Sequence, residues 1–312
     1  MNGILSRIKY NRVTASCYDI LLRTRYTQPD MYIFVASTGR CGTLTLASIC
    51  SALRNSVALH EPLPVMFDDY APGRDRKQYF ESLFYIRKRI NIRRSSANKN
   101  YYIETNHQFA KNFLPLAVDY FRDRLRIVHL TRDPLSVGVS LYRIHSIPGR
   151  SALASSYLIS PSDTSNLIAM EDLFSGNGKL NHDICRCLWY WYEVETRITM
   201  HKKTYPDVYW RTVTTEDLNN YDSMIQMFAS FRIPETDIDV RKLKSAVGRK
   251  NNQKLEYKTN RIDVDLASDL HEQLLLEMER RYGKGFWMSR EPVAESGLKH
   301  CPIHKGLGIT GC

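Results

Sequence analysis

The chain of 312 residues lacks any run of about 18 apolar residues, so no membrane-spanning helix is expected. Its first stretch, MNGILSRIKYNRVTASCYDILL, has neither a continuous apolar signal core nor a convincing cleavage site, and reads as a short amphipathic lead-in. A disulfide framework is missing too. Seven cysteines (Cys17, Cys41, Cys50, Cys185, Cys187, Cys301 and Cys312) are odd in number and scattered, which fits a reducing compartment and a cytoplasmic location. Cys185-Arg186-Cys187 is spaced too tightly for the usual zinc pair, and Cys301 and His304 have only Cys312 near them in sequence, so no metal site is expected. Internal repeats and low-complexity segments are absent. So is Walker A, which needs a lysine directly after its last glycine.

What is present is positive charge. The 44 basic and 33 acidic residues leave a net +11, which favours anionic ligands: nucleotides, sulfated or phosphorylated glycans, nucleic acid or lipid headgroups. Nucleic acid is the weakest of these, because no DNA- or RNA-binding motif accompanies the charge. Arg87, Lys88, Arg89, Arg93, Arg94 and Lys99 form a dense cluster that reads either as a solvated helix face or as a dock for an acidic acceptor.

Strand and helix patterns alternate. Tyr32 to Ala36, Val57 to Leu59, Tyr101 to Thr105, Leu125 to Leu130 and Val208 to Val213 read as strands, with helical segments between them. Residues 146–178, rich in Ser, Gly, Asn and Pro, read as a long loop or lid. The pattern predicts an α/β fold with a doubly wound, mainly parallel sheet and flanking helices. In such sheets ligands bind beyond the carboxyl ends of the strands. Four polar groups fall just there: the Gly39–Gly42 turn, His60-Glu61, Asn106-His107 and Arg132-Asp133. The aromatic run Trp189-Tyr190-Trp191-Tyr192 reads as core packing rather than a sugar platform.

Ser37-Thr38-Gly39-Arg40-Cys41-Gly42-Thr43 joins the first strand to a helix start. Such a turn offers backbone N–H groups and the positive end of a helix to an anion. Arg40 adds charge and Thr43 a hydroxyl. Arg132 ends another strand, and Ser140 follows it two turns into the next helix, so both can reach one phosphate. Two phosphate sites on one sheet edge suggest a nucleotide phosphorylated at both ends.

With these motifs the sequence resembles the sulfotransferase family, whose donor is 3′-phosphoadenosine-5′-phosphosulfate. Arg40-Cys41-Gly42-Thr43-Leu44-Thr45-Leu46 is similar to the family's 5′-phosphosulfate loop, with Cys41 for the commoner serine and Leu44 for a second hydroxyl residue. Arg132 to Ser140 resembles its 3′-phosphate motif. His60-Glu61-Pro62-Leu63 resembles the Glu-Pro segment of carbohydrate and tyrosyl-protein members, and Val213-Thr214-Thr215-Glu216-Asp217-Leu218 a mainly structural element of the fold. Gly248-Arg249-Lys250-Asn251 is loosely similar to the basic loop that closes over the 3′-phosphate.

The resemblance implies a P-loop-NTPase-like sulfotransferase fold over residues 31–285, with a helical lead-in over 1–30 and a tail over 286–312. It implies donor contacts from Thr38, Gly39, Arg40, Cys41, Gly42, Thr43, Leu44, Arg132, Ser140, Arg249 and Lys250, with Arg40 also stabilising the leaving phosphate and no metal required. It implies Glu61 as general base, with His107 and His60 as competing candidates, and a hydroxyl acceptor of carbohydrate or glycolipid type. A P-loop kinase and a noncatalytic module binding anionic glycans are the alternatives. Acceptor identity and oligomeric state have no readable signal.

Overall fold

The computed structural model describes residues 12–67, 75–249 and 262–289. The helix α1 (Arg12–Arg25) leads into β1 (Met31–Ala36), whose six residues are all buried. An uninterrupted apolar strand of this kind belongs inside a parallel sheet covered on both faces. There follow α2 (Thr43–Cys50), β2 (Ser56–His60), α3 (Arg76–Leu83), a π turn (Phe84–Lys88) and α4 (Arg89–Ser95). After β3 (Tyr101–Thr105) a π turn (Phe109–Phe113) runs into α5 (Leu114–Phe121), then β4 (Leu125–Thr131), α6 (Pro134–Arg143) and α7 (Asp183–Thr204). The series closes with β5 (Tyr209–Thr214), α8 (Tyr221–Ser230), α9 (Val240–Ala246) and α10 (Val264–Tyr282).

The five strands are ordered β2-β3-β1-β4-β5 and every pairing is parallel. The expectation of a doubly wound α/β sheet holds. β1 is first in sequence and central in space, so the connections leave it in opposite directions. That makes its carboxyl end the topological switch point, where an open α/β sheet forms its crevice. The register brings the strand ends level: His60 pairs with Thr105, Val35 with Thr105, Ala36 with His129, and Thr131 with Thr214.

α7 is buried along most of its length, and Trp189 and Tyr190 are wholly inaccessible, so the aromatic run is core. A Cβ on Gly138 of α6 would come within 2.8 Å of Leu188, so the missing side chain is what lets α6 and α7 pack this closely. Residues 146–178 are tied to α7. The Glu193 carboxylate accepts from the N–H groups of Leu167 (3.0 Å) and Ile168 (2.8 Å), and Trp189 Nε1 donates to Ile168 O at 2.8 Å.

The basic cluster is not the docking face that an acidic acceptor would need. Lys88 is 1% exposed and pairs with the fully buried Glu104 at 2.6 Å. Arg89 and Arg93 are buried beside Asp19 of α1. Only Arg87 and Arg94 are exposed, with Lys99 half-buried. Burial in a low-dielectric interior demands partners, and these side chains have them.

Candidate active site

The β1–α2 turn is built from left-handed backbone. Gly39, Arg40 and Gly42 have φ of 80°, 61° and 89°. Gly42 is the N-cap of α2 and supplies no side-chain acceptor, so the first-turn N–H groups stay available to an anion. A Cβ on Gly42 would lie 2.8 Å from Leu218 Cδ1. Leu218 and Thr215 thus wedge the turn from β5, and Thr215 Oγ1 also donates to Cys41 O at 3.0 Å. Cys41 is wholly buried, its Sγ donates to Gly39 O at 3.1 Å, and burial pushes its thiol up to about 12. It is an inert brace for the loop and not a nucleophile.

Two guanidinium groups meet over this turn. Arg40 Nε donates to Ser140 Oγ at 2.9 Å, and Arg132 donates from its NH1 nitrogen to Arg40 O at 3.4 Å. Burial, and then the charge of Arg132, hold the Arg40 pKa below its usual value. Among the described residues neither arginine has a carboxylate at ion-pair distance, and Arg132 Nε is buried with no hydrogen-bond partner. Asp133, its sequence neighbour, is instead the N-cap of α6, accepting from Ser136 N at 2.7 Å. Two half-buried like charges and an orphaned N–H make this a favourable place for an anion.

The sequence motifs suggested two separate phosphate sites. The fold joins them, since Ser140 of the second motif is bonded to Arg40 of the first. Thr38 lies beneath the loop, its Oγ1 donating to Gly39 O at 2.9 Å, while Thr43 and Leu44 begin α2 half-buried. Arg249 is exposed, near the loop only through its neighbour: Gly248 N–H donates to Leu218 O at 3.2 Å. Lys250 and the tail with Cys301, His304 and Cys312 lie outside the described residues. Arg143 is exposed.

On the other side of the turn stands a carboxylate–imidazole pair. Glu61 follows β2 with a φ of 49°, its N–H donating to Thr105 O at 3.1 Å. That bend separates it from His60, whose Nδ1 donates to Thr105 O at 3.1 Å. Glu61 Oε1 accepts from His107 Nδ1 at 2.5 Å. Gln108 Nε2 approaches His107 Nε2 at 2.9 Å, and an amide N–H can only donate there, so the imidazole is neutral with its proton on Nδ1. Burial lowers the His107 pKa, and the charge of Lys111 lowers it further, against the pull of Glu61. For Glu61, burial acts to raise the pKa but is outweighed by the His107 bond, so the carboxylate titrates below its ordinary range. Glu61 and His107, alternatives in the sequence, are one unit in the fold.

Second-layer groups fix this unit against the loop. His107 Cβ would lie 3.5 Å from a Cβ on Gly39. Lys88 Nζ donates to Pro62 O at 3.0 Å, and Asn106 Nδ2 to Glu104 Oε1 at 2.9 Å. Lys111 Nζ donates to Tyr157 O (2.5 Å) and to Tyr190 OH (2.9 Å), and Tyr190 OH donates to Thr38 O at 3.2 Å. Lys111 and Tyr157 did not stand out in the sequence, Lys88 did so only as part of the basic cluster, and Tyr190 only as core. The available signal was helical spacing, since Lys111 follows His107 by one turn.

No family model matches the chain, and no curated protein sequence does. Among solved structures, a sulfotransferase domain from the curacin biosynthetic pathway is similar at 10% identity and TM-score 0.43, over 80% of this chain and 98% of that one. A sulfotransferase from Alicyclobacillus acidocaldarius aligns at 14% identity and TM-score 0.38, over 82% and 96%. Retinol dehydratase, in complex with androsterone and the inactive cofactor PAP, aligns at 15% identity and TM-score 0.27, over 85% and 71%. At scores this low the likeness decides nothing about chemistry.

Proposed function

We propose that the protein transfers a sulfuryl group from 3′-phosphoadenosine-5′-phosphosulfate to an acceptor hydroxyl. The observation that carries this reading is the pair Arg40 and Arg132, half-buried and without carboxylate partners among the described residues, at an uncapped helix start, with an ionised Glu61 beside the same loop. The loop N–H groups and Arg40 would hold the 5′-phosphosulfate, and Arg132 with Ser140 the 3′-phosphate. The orphaned Arg132 Nε fits that duty. Arg249 and Lys250 would add to the 3′-phosphate site.

Sulfuryl transfer asks for positioning and charge stabilisation more than for covalent catalysis. Glu61 accepts the proton of the acceptor hydroxyl as that oxygen bonds to sulfur. Arg40 and the α2 N–H groups stabilise the negative charge that gathers on the departing 5′-phosphate as the sulfur–oxygen bond to it breaks. His107 orients Glu61 and donates to one of its oxygens, leaving the other for the acceptor. The neutral, Nδ1-protonated ring is unsuited to act as the base itself, because Gln108 occupies its free lone pair.

We further propose an acceptor hydroxyl of carbohydrate or glycolipid type, on the likeness of His60-Glu61-Pro62-Leu63 to the Glu-Pro segment of carbohydrate-directed sulfotransferases. Isothermal titration calorimetry with 3′,5′-bisphosphoadenosine tests the donor site. Micromolar binding that Arg132→Ala weakens is expected; no binding by the wild type overturns the reading. Sulfate transfer from labelled donor to a panel of sugar, glycolipid and phenol acceptors then tests the acceptor class, and transfer to phenols alone overturns that part.

A further inference from the structure

α1 has one buried face and, opposite it, a second face with exposed apolar side chains. Ala15, Asp19 and Leu22 are buried against the body of the protein. On the other side Val13, Cys17, Ile20, Leu21 and Thr24 recur at helical spacing, and Val13, Ile20 and Leu21 are 67%, 62% and 53% exposed. At roughly 100° per residue these five positions form one stripe directly opposite the buried one. An isolated surface leucine needs no explanation, but a continuous apolar ridge on one helix does.

The stretch of sequence that carries the ridge is predominantly basic. Residues 1–29 contain five basic side chains, Arg7, Lys9, Arg12, Arg23 and Arg25, and one acidic, Asp19. Asp19 points inward and is neutralised by Arg23, Arg89 and Arg93. Arg12 and Arg23 flank the ridge on one side and Arg25 on the other. Arg12 reaches Glu81 at 3.6 Å and Arg23 reaches Asp19 at 3.0 Å, yet both remain about half exposed. Arg25 is exposed and lies over the Tyr26 ring.

We infer that α1 is an interfacial helix that seats the protein on an anionic lipid surface. Val13, Ile20 and Leu21 enter the headgroup–acyl boundary while the flanking arginines meet lipid phosphates and carboxylates. The ridge is exposed and bordered by arginine, which suits a plane of negative headgroups. The helix is too short and too charged to span a bilayer, so it lies along the surface. The inference is independent of the sulfuryl-transfer reading.

The test is sedimentation of the full-length protein with phosphatidylcholine vesicles, with and without roughly a quarter phosphatidylserine. Binding to the anionic vesicles is expected, weakening as salt rises. Ile20→Gln/Leu21→Gln should lower partitioning on the order of tenfold or more, with an unchanged thermal unfolding curve because both side chains are exposed. No binding by the wild type overturns the inference, as does equal binding by the double variant, which would leave only diffuse charge attraction. A concentration-dependent dimer in analytical ultracentrifugation, abolished by the double variant and unaccompanied by vesicle binding, overturns it in favour of a second copy of the chain.

Discussion

Nδ1 of His107 donates a 2.5 Å hydrogen bond to Oε1 of Glu61, joining the end of β2 to the segment after β3 directly beside Gly39. The bond fixes which carboxylate oxygen remains open and keeps the acid ionised despite its burial. It also divides the labour between the two residues, and that division can be measured.

Glu61→Gln should reduce sulfate transfer roughly 10²- to 10⁴-fold, the usual worth of a positioned base, while leaving bisphosphoadenosine affinity within about twofold. Steady-state kinetics beside calorimetry check this. A full loss in His107→Ala with Glu61→Gln still active would reverse the two roles.

The pH profile carries a sign. The pKa of Glu61 is depressed, so its base form is present at neutral pH and is lost only as pH falls through that lowered value. In His107→Ala the strongest influence that lowers the pKa is removed, leaving burial opposed only by the charges of His60 and Lys111. The acid limb of kcat/KM should therefore move to higher pH. An unmoved limb would mean that His107 does not act on Glu61.

Arg132→Ala should weaken bisphosphoadenosine about 10- to 100-fold, the cost of removing charge-assisted hydrogen bonds to phosphate. The ligand-free protein should melt no earlier than wild type, because Arg40 is relieved of a neighbouring like charge. Differential scanning fluorimetry with and without ligand reads both effects, and a large drop in the ligand-free melting temperature would make Arg132 structural instead.

Gly42→Ala should destabilise by about 1–3 kcal/mol in urea unfolding, through a strained left-handed φ and contact with Leu218. Leu218→Ala in that background relieves the contact and not the φ, so rescue should be partial. Complete rescue would assign the whole cost to the contact.

Glu104→Gln should destabilise by roughly 3–5 kcal/mol, because it leaves the buried Lys88 charge without its counter-charge. Lys88→Met/Glu104→Gln should cost less than the sum of the single changes. Additive losses in denaturant would show that the pair is not coupled.

Strand placement was legible because β1 is an unbroken apolar run and β3 and β4 are short stretches dominated by aliphatic and aromatic residues between turn residues, a pattern with few other readings. The β1–α2 turn was legible because Gly39 and Gly42 sit where the backbone turns left-handed. The Arg87–Lys99 cluster was not. Charge along a sequence carries no record of burial, and Asp19 and Glu104, which neutralise Arg89, Arg93 and Lys88, come from other elements.

By itself, then, the sequence determined the α/β alternation, the glycine-bearing turn at Gly39–Gly42, and the candidates Arg40, Glu61, His107, Arg132 and Ser140, since local backbone demands and residue chemistry are written in consecutive residues. Only the tertiary structure decided how those candidates combine. Arg40 and Ser140 are 100 residues apart and Glu61 and His107 46 apart, and each pair meets because parallel pairing levels the strand ends at one sheet edge. Contact across that distance depends on strand order and register, which no single segment encodes.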